Sequence, residues 1–269
     1  MTTQWSTFER WDLVLPPNRP TDRFLKVVRD ILERHSPPLR AAVLGSTPEF
    51  RDLLAQCGAM ETIVFDRDLP FHRRTTEMTL PLTRTTERLV LGDWLETLPD
   101  HEAAFDFLLS DLTAGNVPYS SRAQFYASIR RALRPGGIFV DRLLLHDFEL
   151  LPLDRLDRKY RKRGRNLRSY NDFSSEYLFC SELLKGQESV DSSEFYGHLS
   201  QRFHDDEQLN ALWHGAHLVT PEGAFWHYGR TASAVWEPLA HAFSRIRVLR
   251  DESRTVFSGK TRILLCNGE

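Results

Sequence analysis

Cysteine is scarce in this chain of 269 residues: Cys57, Cys180 and Cys266 stand far apart and odd in number. That excludes a disulfide framework and the paired spacing of a zinc site, and leaves reduced thiols in a cytoplasmic protein as the expectation. An excess of one charge is also lacking. The net charge of -2 gives no global attraction to nucleic acid or to an acidic membrane surface, so any such partner has to be argued locally. No apolar run approaches the roughly 18 residues that span a bilayer, and MTTQWSTFERWD has no basic region leading into an apolar core. Glycine is sparse where a nucleotide-binding loop most needs it: AAVLGSTPEFRDLL (41–54) holds one.

What is present suits a large α/β domain. Hydrophobic residues make up 41% of the chain and charged residues 27%, enough for one sizeable core, with or without an insertion. TDRFLKVVRDILERH (21–35) places Phe24, Leu25, Val28, Ile31 and Leu32 on one helical face, capped by Thr21 or Asp22 and stopped by Pro37 and Pro38. After it, strand-like runs at 41–45, 61–66, 87–93, 104–111 and 137–145 alternate with helix-like runs at 48–58 and 121–133. Apolar strands alternating with helices predict a doubly wound, mainly parallel sheet covered on both faces. Two further strands, 244–251 and 261–267, lie close enough together to be antiparallel neighbours. The hundred or so residues before them are rich in charge, aromatics and histidine and read as an insertion over the carboxyl edge of the sheet.

In such a sheet ligands bind at the carboxyl ends of the strands. Gly45 ends the first strand, but the positions a dinucleotide loop reserves for glycine hold Gly45, Thr47 and Phe50, which argues against a dinucleotide. Thr47-Pro48-Glu49 is instead a good helix start, and a well-capped turn is the plainer reading of the loop. The acids decide more. Asp66 ends the second strand, 21 positions after Gly45 and close to the roughly 20 expected of an acid that accepts from ribose hydroxyls. Asp93 and Asp111 end the third and fourth strands, so three acceptors would line one cleft.

VLGSTPE, IVFDRD, LGDWLETL, FDFLLSDLTAGN and LRPGGIFV follow one another in the order of the motifs of class I S-adenosylmethionine-dependent methyltransferases, and residues 41–145 resemble the core of that family. The pair 244–267 is similar to its closing antiparallel strands. The resemblance implies a Rossmann-like fold with a seven-stranded, mainly parallel sheet and an antiparallel C-terminal strand. It divides the chain into an N-terminal segment (1–38), a core (39–147 and 244–269) and a substrate cover (148–243). It also implies S-adenosylmethionine as cofactor. Asp66 would take the ribose hydroxyls, Asp93 the adenine amine with Trp94 or Leu95 against the ring, and Gly45, Ser46 or Thr47 the methionine end. Arg67, Asp111, Leu112 and Asn116 would flank them. The cofactor carries no phosphate, so one glycine suffices.

For an acceptor that must lose a proton, Tyr119, Asp141 and His146, just beyond the fourth and fifth strands, are the candidates. A turn around Gly115 and Pro118, and a satisfied or surface histidine, are the plainer readings of Tyr119 and His146. Trp5, Trp11 and Arg19 fit either a lid across the cofactor or a structural strap, and Trp11, Arg19, Tyr170, Asn171 and Tyr177 are the candidate substrate contacts. DRLDRKYRKRGRNLR (154–168) holds eight bases against two acids; a solvated helix end is preferred over a nucleic-acid surface. The histidines at 198, 204, 214, 217 and 227 lack the spacing of a helical metal pair, and no metal is expected. The combined expectation is a cytoplasmic methyltransferase acting on a small molecule, without membrane or nucleic-acid partners and with a homodimer left open. An enzyme that transfers or cyclises the aminocarboxypropyl group and a non-catalytic binding protein are its rivals.

Overall fold

The structure, a computed structural model, describes residues 10–35, 38–228 and 232–267. Trp5 and Pro37 lie outside the described residues. The apolar run Leu39–Leu44 forms β1, and its successive residues feed two cores: Ala42 and Leu44 on one face, Ala41 and Val43 on the other. That alternation is what a strand covered on both sides requires. On one face pack α1 (Asp22–Leu32), through Phe24, Val28 and Leu32, and α2 (Pro48–Gln56), through Phe50, Leu53 and Leu54. Thr21 caps α1 by accepting from the Phe24 amide at 3.1 Å. The other face takes α6 (Arg122–Ala132) and α11 (Ala232–Ala242).

The remaining sheet strands are β2 (Ala59–Asp66), β3 (Glu87–Leu91), β4 (Phe105–Leu109), β5 (Leu133–Leu144), β8 (Arg245–Arg250) and β9 (Thr261–Asn267). Their order is β3-β2-β1-β4-β5-β9-β8. The first five are parallel, and β9 runs antiparallel between β5 and β8. Strand order therefore reverses between β1 and β4, which opens a crevice at their carboxyl ends. The Pro135-Gly136-Gly137 break expected before the fifth strand is a bulge inside it: Phe105 pairs with Leu133, and two residues later Phe107 pairs with Ile138. Two helices, α3 (Leu69–Glu77) and α4 (Pro81–Thr86), and the one-turn α5 (Trp94–Thr97) follow β2 and β3.

The insertion is helical: α7 (Leu153–Tyr160), α8 (Leu167–Cys180), α9 (Ser192–Phe203) and α10 (Glu207–Ala216), with a two-residue ladder of β6 (Val190–Asp191) and β7 (Phe225–Trp226). It has its own core around Tyr160, Phe173, Tyr177 and Phe203. Although α11 falls within 148–243, Val235, Leu239 and Phe243 recur every fourth residue and place it in the main core. In the basic stretch, Arg161, Arg165 and Arg168 pair with Asp206, Glu207 and Asp172 at 2.6, 3.1 and 3.0 Å, and Lys159 pairs with Glu176. Its charge is partly spent within the insertion.

Candidate active site

At the reversal point lies a cavity of about 790 Å³, within the size range of small-molecule sites, roughly 300–1,000 Å³. Its floor is the strand ends. Gly45 follows β1 with φ +85°, a conformation that costs any other residue, and a Cβ built there meets nothing within 4 Å because it points into open space. Ser46 and Thr47 continue the lining to the start of α2.

Asp66, the last residue of β2, is held from both sides. Its Oδ2 accepts from Ser46 Oγ at 2.5 Å and its Oδ1 from the Asp68 amide at 2.9 Å. The Ser46 amide is a third donor to this carboxylate, and the lone pair that remains can still accept from a ligand hydroxyl. Burial pushes the Asp66 carboxyl up, and the Ser46 and Asp68 hydrogen bonds oppose that. Behind Ser46, His72 Nδ1 lies 3.1 Å from Oγ, and burial with Arg51 beside it lowers His72 to about 4, so the imidazole is neutral at pH 7. Asp93 caps α5 by accepting from the Leu95 amide at 2.9 Å, with Arg67 at 4.0 Å, and Trp94 Nε1 donates to Phe65 O at 3.0 Å, which fixes the indole at the rim.

Asp111, beyond β4, is gripped by Arg142 through Nε at 2.7 Å and Nη2 at 3.0 Å. Arg142 is fully buried and also donates to Asp251 at 3.4 Å and to the carbonyls of Pro17 and Arg19 at 2.6 and 3.0 Å. One guanidinium thus ties the N-terminal strap, the β4 end and the C-terminal loop together. Leu112 follows with φ +57°, and Thr113–Asn116 forms a single turn along the cavity wall. That turn is latched: Gly115 O accepts from the His227 amide at 2.7 Å, and a Cβ on Gly115 would strike the Tyr228 ring at 2.3 Å.

All ten residues expected to hold a cofactor line this one cavity: Gly45, Ser46 and Thr47; Asp66 and Arg67; Asp93 and Trp94; Asp111, Leu112 and Asn116. Trp11 joins them, edge-on to Phe71 at 5.4 Å. The other expectations need correction, because none of those side chains lines the cavity. Asp141 points from β5 into the sheet's own core, fully buried, and accepts from Ser110 Oγ at 2.5 Å. His146 Nε2 donates to Phe179 O at 3.1 Å, behind the wall that Tyr228 forms. Tyr119 lies under the Arg122 guanidinium at 3.9 Å. Arg19 does meet a carboxylate, that of Glu49, and stands 5.7 Å over the Trp11 ring. Tyr177 donates to Asp157 at 2.7 Å inside the insertion, and Tyr170 packs against Gly215. Asn171 accepts from the Leu15 amide at 2.8 Å and donates to Leu13 O at 3.1 Å, so it anchors the strap.

The sequence reading missed the cover's contribution: Phe179, Val219, Thr220 and the run Phe225, Trp226, His227 and Tyr228 face the same cavity. The aromatic density of AFWHY was the available signal. Among the described residues no group of three or more His, Cys, Asp or Glu side chains is placed to hold a metal ion, and none of the helices is long and apolar enough to cross a membrane.

No sequence family matches the chain, and no curated protein resembles it in sequence. Solved structures do resemble it. A SAM-dependent methyltransferase from Methanosarcina mazei superposes with a TM-score of 0.52 at 16% identity, over 89% of this chain and 97% of that one. The chain has the class I methyltransferase fold. A Pyrococcus horikoshii protein shares the fold over 98% of both chains, with a TM-score of 0.56 at 11% identity. So does a Rhodobacter sphaeroides protein described as a Zn-dependent alcohol dehydrogenase, with a TM-score of 0.55 at 16% identity over 100% and 99%. The crevice lies at the carboxyl ends of the β3-β2-β1-β4-β5 half, and the ten residues named above line it.

Proposed function

We propose that the protein is a cytoplasmic S-adenosylmethionine-dependent methyltransferase acting on a small molecule. The observation that carries this reading is the register of Asp66, Asp93 and Asp111 on three successive strand ends, all facing one cavity beside the open Gly45 turn. The residues suit the cofactor. Asp66 would accept from the ribose hydroxyls, Asp93 from the adenine amine beside Trp94, and the Gly45–Thr47 turn would receive the methionine end. Four carboxylates on the wall (Asp66, Asp68, Asp93 and Asp111) favour a cationic sulfonium. When bound, the cofactor supplies an electrophilic methyl group. The protein positions the acceptor in line and keeps water out, the latter through the strap at Trp11 and the helical cover.

The experiment is incubation with S-adenosylmethionine and a panel of small hydroxylated acceptors, with the spent cofactor identified by mass. Adenosylhomocysteine is expected. Methylthioadenosine would overturn methyl transfer in favour of aminocarboxypropyl chemistry.

A further inference from the structure

The cavity wall changes character where the insertion takes over. Asp66, Arg67, Asp68, Asp93 and Asp111 all come from the β1–β4 ends, whereas the insertion contributes neither a carboxylate nor a lysine or arginine to the lining. It contributes rings. Phe179 sits edge-on to Trp226 at 5.1 Å and to Tyr228 at 5.5 Å, Phe257 from the loop between β8 and β9 joins them at 6.0 Å, and all four line the cavity. The Tyr228 hydroxyl is already spent on Leu112 O at 3.2 Å. Phe225 closes the rim at 37% exposure, edge-on to the His227 ring at 5.1 Å. A charged acceptor placed here would lose its hydration without a counter-ion, whereas a flat apolar ring would gain both burial and ring contacts.

His227 stands at the border between the two halves. Its backbone is fixed on both sides, the amide to Gly115 O at 2.7 Å and the carbonyl to Arg122 Nη2 at 2.7 Å. Among the described residues neither of its ring nitrogens has a hydrogen-bond partner, although the residue lines the cavity and its ring lies 5.1 Å from that of Phe225, which lines it too. Arg122 is the charged group facing it, and that guanidinium is itself stacked on Tyr119.

We infer that the half of the cavity built by the insertion receives an uncharged, hydroxyl-bearing aromatic molecule, and that His227 is the catalytic residue that takes the hydroxyl proton. Burial and the Arg122 charge both lower the His227 pKa, so the imidazole is unprotonated at neutral pH and has a lone pair to offer. In the transfer the acceptor O–H bond breaks and the proton passes to His227. The oxygen forms the bond to the methyl carbon, and the electron pair of the broken S–C bond stays on sulfur. The proton step rests on the methyltransferase reading; the ring pocket does not.

The test uses 2-naphthol, 2-naphthylmethylammonium and 2-naphthoate as probes of one shape and three charges, titrated calorimetrically into the intact protein without cofactor. 2-Naphthol should bind at least tenfold more tightly than either ion. Phe225→Ala should weaken it about tenfold while leaving adenosylhomocysteine affinity within twofold. Equal or tighter binding of the ammonium would overturn the inference in favour of a cation cage. The His227 imidazole resonance should shift on 2-naphthol binding in the absence of cofactor; an unmoved resonance would refute its role. With S-adenosylmethionine present, the methylation rate should rise with pH through the His227 titration. His227→Gln should lower the rate about 100-fold or more and abolish that limb. An unchanged profile in His227→Gln overturns the base assignment. Naphthol binding without any adenosylhomocysteine binding would keep the ring pocket and remove the transfer reading instead.

Discussion

Arg142→Met is the substitution whose cost can be worked most fully from the structure. The guanidinium is wholly buried and makes two bonds to Asp111, one to Asp251 and two to the carbonyls of Pro17 and Arg19. Methionine fills the space but leaves both carboxylates without their cation. Asp251 keeps the hydroxyls of Thr21 and Thr261, each at 3.1 Å, whereas Asp111 has no other hydrogen-bond partner among the described residues. Stripping one partner from a buried ion pair costs about 3–5 kcal/mol, which in a domain of this size lowers Tm by about 6–20 °C. Urea unfolding gives the energy, and hydrogen exchange across 13–19 reports release of the strap. Adding Asp111→Asn should recover part of the loss, since it neutralises the orphaned carboxylate. A cost below about 1 kcal/mol, or no recovery in the double variant, would refute the reasoning.

Other perturbations separate stability from binding. Gly45→Ala forces an alanine to φ +85°, at a cost of about 1–2 kcal/mol, and sets a methyl in the open cavity; cofactor affinity should fall at least tenfold, and unchanged affinity would mean the ligand does not pass Gly45. His72 sits near 4 when folded and near 6.5 when unfolded. Between those values only the unfolded chain binds the proton, so stability falls as pH drops from about 6.5 to 4, by at most about 3 kcal/mol. His72→Gln should flatten that slope in acid-titrated unfolding, and an unaltered slope assigns it elsewhere. Asp141 is raised to about 7 by burial, above its unfolded value, so its contribution is full in acid and is lost as pH rises through 7. Asp141→Asn keeps an acceptor for Ser110 without the charge, and should stabilise the protein by about 1–3 kcal/mol above pH 7 and by less at pH 5.

Strand positions were legible because period and apolar content act locally. The five parallel strands and the closing pair fall within a few residues of expectation, and the order of the acids along the chain sufficed to gather the strand-end half of the cavity. What stayed hidden depended on long-range contact. α3 and α4 carry few apolar residues and are held by buried polar groups such as Arg51, which pairs with Glu87 at 2.5 Å across 36 positions. Asp141 and His146 follow the strand ends in sequence as plausibly as Asp111 does. Only side-chain direction on β5, and the tertiary position of Phe179, separate a core carboxylate and a wall histidine from a cavity group. His227 was obscured for the opposite reason. Apart from the aromatic run AFWHY around it, nothing local sets it apart from the five other histidines between 148 and 243, and its place is set by Gly115, 112 positions earlier.

Calorimetric titration of the folded protein with S-adenosylmethionine and adenosylhomocysteine, repeated on Asp66→Ala, tests the central claim most directly. Saturable one-site binding of both ligands is predicted, weakened about ten- to a hundredfold in the variant, as loss of a charged hydrogen-bond acceptor worth about 1.5–3 kcal/mol requires. No heat from well-folded protein, or equal affinity in Asp66→Ala, would contradict it.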